Sequence, residues 1–205
     1  LKQIKIRKPL ILIGSLKLVE LQMKKLKFKK KIKILNTEKF LNEKLDNKYI
    51  NLIDIKYNQK NAFENISSKS NKYIKNCLEV SFDILKKTKI KRLITGPISK
   101  KTFLNKKYLG ITEYISKKFN KKKFAMLIYN EKLSVSPITT HLPLKLVTRK
   151  ISKKIIKEKV NIINDFYKKF LHFKPRIAVV GLNPHCESIH SFNEDQRILL
   201  PAIQS

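Results

Sequence analysis

Apolar and polar positions divide the first third of the chain into short runs. Residues 9–13 are almost wholly apolar and close on Gly14, which predicts a buried strand followed by a turn. Residues 16–26 carry apolar side chains at mixed helical spacing and predict a short helix. Residues 31–35 alternate Lys with Ile or Leu, the period of a half-buried strand. Residues 36–51 are polar and irregular, and 52–55 suit another short strand. Residues 58–70 form a loop rich in Asn, Ser and Lys, the best candidate for a boundary.

The clearest helix is predicted over residues 70–87. Tyr73, Ile74, Cys77, Leu78, Ser81, Ile84 and Leu85 recur at steps of three and four, with Ser70 as the expected N-cap. Cys77 lies on that stripe and reads as a packing residue. Residues 92–95 read as a strand broken by Gly96 and Pro97, and Ser99 is placed to cap a helix over 100–105. Residues 112–119 read as helical, and 124–129 and 133–138 as strands joined by a polar turn. Residues 144–173 hold one long helix or two, with Ser152 as the second N-cap. Residues 176–180 form an apolar strand, and 194–203 a last helix. Strands that alternate with helices, several apolar on both faces, indicate a layered α/β fold with a largely parallel sheet.

Composition changes this picture little. The chain has 205 residues and is 42% hydrophobic, enough for a real core and too apolar for a disordered chain. Its 47 Lys and Arg against 15 Asp and Glu give a net charge of +32. That excess would suit a polyanion partner. The lysines are spread along the whole chain, however, and accompany abundant Ile and Asn, which points to the codon bias of an A/T-rich genome. A specific nucleic-acid partner would need the Lys gathered on one face with aromatic residues between them. No apolar run approaches the roughly 18 residues that cross a membrane. The two cysteines, Cys77 and Cys186, are far apart and form no disulfide framework, so a reducing, cytoplasmic setting is expected.

The chemistry centres on histidine. Of four histidines, His172 falls late in a helical stretch beside Leu171 and Phe173 and reads as a partly buried structural residue. His141 and His185 each follow an apolar run and sit beside proline on a loop. Two such loops can converge at one end of a sheet and offer neutral imidazoles to a divalent ion. From spacing alone the pair is equally compatible with two surface histidines, and His190, in a polar loop, is either a third ligand or a solvated side chain. No glycine-rich dinucleotide fingerprint and no Walker-type loop occurs. Cys186 beside His185 does not make a nucleophile pair, because sequence neighbours rarely adopt that geometry.

Four segments occur in a telling order: Leu93-Ile94-Thr95-Gly96-Pro97-Ile98-Ser99-Lys100, Gly110-Ile111-Thr112-Glu113, Thr139-Thr140-His141-Leu142-Pro143-Leu144 and Gly181-Leu182-Asn183-Pro184-His185. Together they resemble the 4-hydroxythreonine-4-phosphate dehydrogenase family of pyridoxal phosphate biosynthesis. The resemblance implies a fold like that of isocitrate and isopropylmalate dehydrogenases, with two α/β lobes and a cleft. Residues 1–205 would then form a single, incomplete two-lobe unit. It implies NAD- or NADP-dependent oxidation of the hydroxyl of 4-phosphooxy-L-threonine, a small phosphorylated amino acid, with loss of CO₂. It also implies a homodimer and a divalent metal (Zn, Mg or Co) held by three histidines. His141 and His185 match two of those ligands, and Thr112 matches a substrate-contacting threonine.

The departures carry their own expectations. Ile111 stands where the family has histidine and offers no hydrogen bond. The loop after His185 continues with Cys186-Glu187-Ser188-Ile189 where the family has small residues and glycine. The family's early Gly/Pro-rich segment and its third metal histidine would lie beyond Leu1 and Ser205, so the chain reads as truncated at both ends. A degraded, non-catalytic remnant of the enzyme is the competing expectation, and a basic nucleic-acid-binding protein a further one.

Overall fold

The structure is a computed structural model that describes residues 8–105, 107–183 and 193–205. The chain separates into two compact units, Leu1–Lys107 and Tyr108–Ser205.

The first unit is built on three parallel strands, β1 (Ile11–Gly14), β2 (Ile32–Ile34) and β3 (Ile50–Asp54), in the order β1-β3-β2. Ile11 pairs with Asn51 and Ile13 with Ile53, while Ile32 pairs with Ile50. The central strand is buried over four consecutive residues, Ile50 to Ile53, because both its faces are covered. Asn51 is the polar exception. Its amide donates to Leu10 O at 3.0 Å and Asp46 O at 3.1 Å, so a buried polar group ties the entry of β1 to the turn before β3.

Parallel neighbours require crossovers, and α1 (Leu16–Lys25) leaves directly from β1. Ser15 starts it: Oγ accepts from Leu18 N and donates to Tyr57 O at 3.3 Å, while Asp54 Oδ1 accepts from Leu16 N at 2.8 Å. α2 (Asn71–Lys87) buries Leu78, Ser81 and Phe82. Val80 and Ile84 pack on the core formed by Leu35, Phe40 and Ile53. Tyr73 of α2 reaches back to α1: its Oη accepts from Ser15 N at 2.9 Å and its ring stacks on Tyr57 with centroids 4.6 Å apart. Burial pushes the Tyr73 phenol up to about 12 and raises the Cys77 thiol, which keeps Cys77 protonated and inert as a packing residue. Ser70 does not cap α2 as expected; its hydroxyl donates instead to Ser67 O at 3.2 Å.

The second unit contains α3 (Ile111–Lys118), α4 (Leu144–Lys150), α5 (Lys153–Phe166) and α6 (Leu200–Ile203). Ser152 caps α5 by accepting from Ile155 N, so residues 144–173 hold two helices. α5 widens into a π-turn, Tyr167–Leu171, and stops at His172, whose φ of 62° is left-handed. His172 is exposed there, which corrects its reading as a partly buried residue. Ile156 of α5, Leu199 and Ala202 form this unit's core, with Val179 and Leu182 packed against them.

The α/β class and parallel sheet agree with the sequence reading, but four predicted strands do not form as expected. Residues 124–129 and 133–138 meet at one antiparallel bridge, Ile128 with Val135. Residues 92–95 and 176–180 belong to no strand, and Ile94 and Val180 are 82% and 85% exposed. An apolar run specifies a preference for burial, not a hydrogen-bonding neighbour, and a ladder needs both.

Candidate functional site

Three of the four motif segments meet structure that can be followed atom by atom, and two of them converge in the second unit. Gly110 precedes α3 in extended backbone, with Thr112 and Glu113 in the helix's first turn. An acidic side chain there is favoured by the helix dipole. Thr140 Oγ1 donates to Glu113 Oε1 at 3.3 Å, which joins the first turn of α3 to the loop carrying His141. His141 adopts a left-handed φ of 57°, uncommon for a residue with a side chain, and its ring is exposed.

Gly110 shows how close these groups come. A Cβ placed on it would lie 2.9 Å from Glu113 Oε2 and 3.5 Å from His141 Nε2, with His141 Cδ2 next at 4.0 Å. The end of the carboxylate and one edge of the imidazole therefore both lie close to a single point beside Gly110. Glu113 Oε2 is buried there and has no hydrogen-bond partner. Lys159 of α5 lies close enough to act on Glu113 electrostatically. Burial pulls the Lys159 ammonium below the ordinary lysine range, Glu113 and Glu158 oppose that shift, and Lys159 itself donates to Phe124 O.

The opening of the fourth motif is held by a different acid. Leu182 N donates to Asp195 Oδ1 at 2.7 Å, and Asn183 donates to Oδ2 through both its backbone N–H, at 3.3 Å, and its amide, at 2.8 Å. Asp195 is 8% exposed. Burial alone would raise its pKa, but the bonds from Leu182 and Asn183 prevail and hold the carboxyl below the usual aspartate range. Asn193 starts the same helical segment, accepting from Asp195 N at 2.9 Å and Gln196 N at 3.3 Å. His185, with Cys186 and His190, lies outside the described residues.

Of the residues singled out from sequence, His141 and Thr112 thus fall in the same unit, Thr112 one residue before Glu113. The sequence reading gave no role to Glu113, Gly110 or Asp195. The three-residue step from Gly110 to Glu113, from before a helix into its first turn, was the available signal for the first two. Nothing local marks Asp195, whose partners lie twelve and thirteen residues earlier. Among the described residues no group of three or more His, Cys, Asp or Glu side chains gathers as a ready metal site.

Comparison with known proteins accounts for this arrangement of motifs. A 4-hydroxythreonine-4-phosphate dehydrogenase of Sulfurihydrogenibium sp. is 39% identical over 160 residues, 76% of this chain and 48% of that protein. A D-threonate 4-phosphate dehydrogenase of Salmonella typhimurium is 30% identical over 130 residues, 62% of this chain and 40% of that protein. The chain thus spans about half the length of the curated relatives it matches. The solved structure of a putative 4-hydroxythreonine-4-phosphate dehydrogenase from Salmonella typhimurium superposes with a TM-score of 0.78 at 25% identity, covering 95% of this chain and 61% of that one. The model of the pyridoxal phosphate biosynthetic protein PdxA matches residues 5–205, and with nearly the whole sequence inside that match, the chain belongs to this family.

Proposed function

We propose that this chain contributes to an NAD(P)-dependent dehydrogenase that oxidises the hydroxyl of 4-phosphooxy-L-threonine, with loss of CO₂, in vitamin B6 biosynthesis. The two-lobe layering of isocitrate dehydrogenase, a homodimeric active site and a cytoplasmic setting belong to the same reading. The observation that carries it is the convergence of two motifs distant in sequence, Gly110 to Glu113 and Thr139 to His141, on one point beside Gly110. Relatives are named for 4-hydroxythreonine-4-phosphate and for D-threonate 4-phosphate, which share a hydroxylated, 4-phosphorylated four-carbon acid.

An exposed imidazole beside an orphaned carboxylate oxygen suits a divalent cation in kind. His141 and His185 would hold the ion, which when bound would polarise the substrate hydroxyl as a Lewis acid. Thr112, in the first turn of α3, would donate to the substrate. Asp195 would keep the start of the His185 loop in place, and Thr140 would fix Glu113 against the His141 loop. Ile111 supports the second reading, a remnant without catalysis, because it supplies no hydrogen bond where the family's histidine would.

Purified protein given 4-phosphooxy-L-threonine, NAD⁺ or NADP⁺ and Zn²⁺, Mg²⁺ or Co²⁺ should produce reduced cofactor, measured by absorbance. His141→Ala should abolish it. Wild-type turnover no higher than that of His141→Ala would decide for the remnant. Calorimetry should show divalent-ion binding that is lost in both His141→Ala and His185→Ala; binding unchanged in both removes them as ligands.

A further inference from the structure

Lysines run along the whole chain, but residues 166–176 bring charge and rings together. Lys168, Lys169, Lys174 and Arg176 fall there among Phe166, Tyr167, Phe170 and Phe173, with no acidic residue between them; Asp165 stands just before. The fold turns this alternation into one surface of the second unit. Tyr167 is buried just past α5, where its hydroxyl donates to Ser134 Oγ at 2.9 Å, and Ser134 Oγ donates in turn to Asn130 O at 2.9 Å. Three rings gather on it, with centroids at 5.2 Å for Phe173, 5.9 Å for Phe166 and 6.4 Å for Tyr129. Phe170 lies 5.5 Å from Phe166 across the π-turn, and the left-handed backbone of His172 reverses the chain so that Phe173 comes back onto Tyr167. Phe166, Phe170, Tyr129 and Phe173 are 38%, 40%, 49% and 53% exposed, and the four cations are exposed too. Lys169 Nζ lies 5.8 Å from the centre of the Phe170 ring.

We propose that this surface binds single-stranded nucleic acid, with bases against the exposed rings and backbone phosphates on Lys168, Lys169, Lys174 and Arg176. A contiguous exposed apolar patch marks contact with a partner, and charge selects which one. The segment is purely cationic, so it suits a polyanion, and a second copy of this chain, itself at +32, would be repelled. Every base has a flat face to set against a ring, so such stacking tolerates any sequence, and phosphates beside the rings meet the lysines. A duplex keeps its base faces inside the stack and offers phosphates alone, so the rings favour the single strand. The hydrogen bonds from Tyr167 through Ser134 fix the central ring before anything binds, which lowers the ordering cost of binding. The surface shares no residue with Gly110 to Glu113 or with the His141 loop, so this activity is independent of the dehydrogenase reading.

The test is fluorescence anisotropy of a labelled thymidine oligonucleotide of about 15 nucleotides, beside a duplex of the same length at the same salt concentration. Wild type should hold the single strand more tightly than the duplex. Phe170→Ala and Phe173→Ala should each weaken single-strand binding by about 5- to 100-fold and leave duplex binding unchanged, with circular dichroism showing both variants folded. Phe170→Tyr, which keeps a ring, should bind as wild type does. Removing the same charge at two places separates this surface from the general field: Lys168→Gln with Lys169→Gln should cost more single-strand affinity than Lys24→Gln with Lys25→Gln. Equal losses from the two pairs, or a duplex bound as tightly as the single strand, would reduce the effect to net charge and overturn the proposal. Binding to anionic phospholipid vesicles that Phe170→Ala and Phe173→Ala weaken, while oligonucleotide binding stays at the wild-type level, would overturn it as well and assign the patch to a lipid surface.

Discussion

Asp195 accepts three hydrogen bonds from two consecutive residues, and its charge matters because it is buried when it does so. Asp195→Asn preserves the shape but turns one acceptor oxygen into a donor that faces donors. The loss should be about 1–3 kcal/mol, the range for breaking buried bonds to a charged group. Its pH dependence has a fixed sign. The folded-state pKa lies below the ordinary aspartate value of about 3.9, so the stabilisation is complete above that value and is lost as pH falls through the folded-state pKa. The gap in unfolding midpoint between wild type and Asp195→Asn should be widest near neutrality and narrow below about pH 4. A gap that stays constant into acid would show that the carboxylate's charge is not what holds the loop. The sequence made His141 and His185 conspicuous because imidazoles are rare and chemically distinctive. Two buried acceptors stayed hidden: Glu113 and Asp195 look like any solvated carboxylate until the fold brings Thr140 to the one and Leu182 and Asn183 to the other.

Serines at helix starts show how far local sequence carries at the level of elements. Ser15, Ser70 and Ser152 each precede a helical run, yet only Ser15 and Ser152 make the capping bond. Ser15 is also buried and donates to Tyr57 O, so Ser15→Ala removes two interactions and should cost about 1–2 kcal/mol. Ser70→Ala loses only a bond within its own turn and should fall within about 0.5 kcal/mol of wild type. Urea unfolding of both variants checks the contrast, and equal losses would contradict it. The long helices were legible because their periodicity is internal: α2 and α5 lie within a few residues of the predicted spans, as do β1, β2 and β3, whereas the short helix expected over 100–105 is a run of turns. The runs at 92–95 and 176–180 show the opposite case. Ile94 and Val180 have the composition of buried strand residues and almost full exposure, since pairing depends on a neighbour that no local window contains. The contact between α3 and the His141 loop is of this nonlocal kind, and no local window of periodicity contains it.

At the scale of the whole molecule the excess of 47 basic over 15 acidic residues sets a long-range term that no single contact offsets. Among the described residues three ion pairs form, Lys33–Glu43 at 2.8 Å, Lys75–Glu79 at 3.8 Å and Lys123–Glu158 at 3.5 Å, all at partly exposed positions. Such pairs contribute roughly 0–1 kcal/mol each, so attraction between neighbours is small beside the self-repulsion of the net charge. Salt shortens the reach of both, from about 10 Å at 0.1 M to about 3 Å at 1 M, and the larger repulsive term is the one that gains from screening. The thermal midpoint should therefore rise as NaCl increases from about 0.05 to about 0.5 M. A falling midpoint would mean that local ion pairs outweigh the global charge. The same field predicts how nucleic acid behaves. Duplex or single-stranded DNA should bind at low salt without sequence preference and dissociate as the salt concentration is raised several-fold, because displaced counterions supply the driving force. Binding that survives high salt or discriminates between sequences would require a shaped basic surface, which scattered lysines do not make, and would count against a role confined to metabolism.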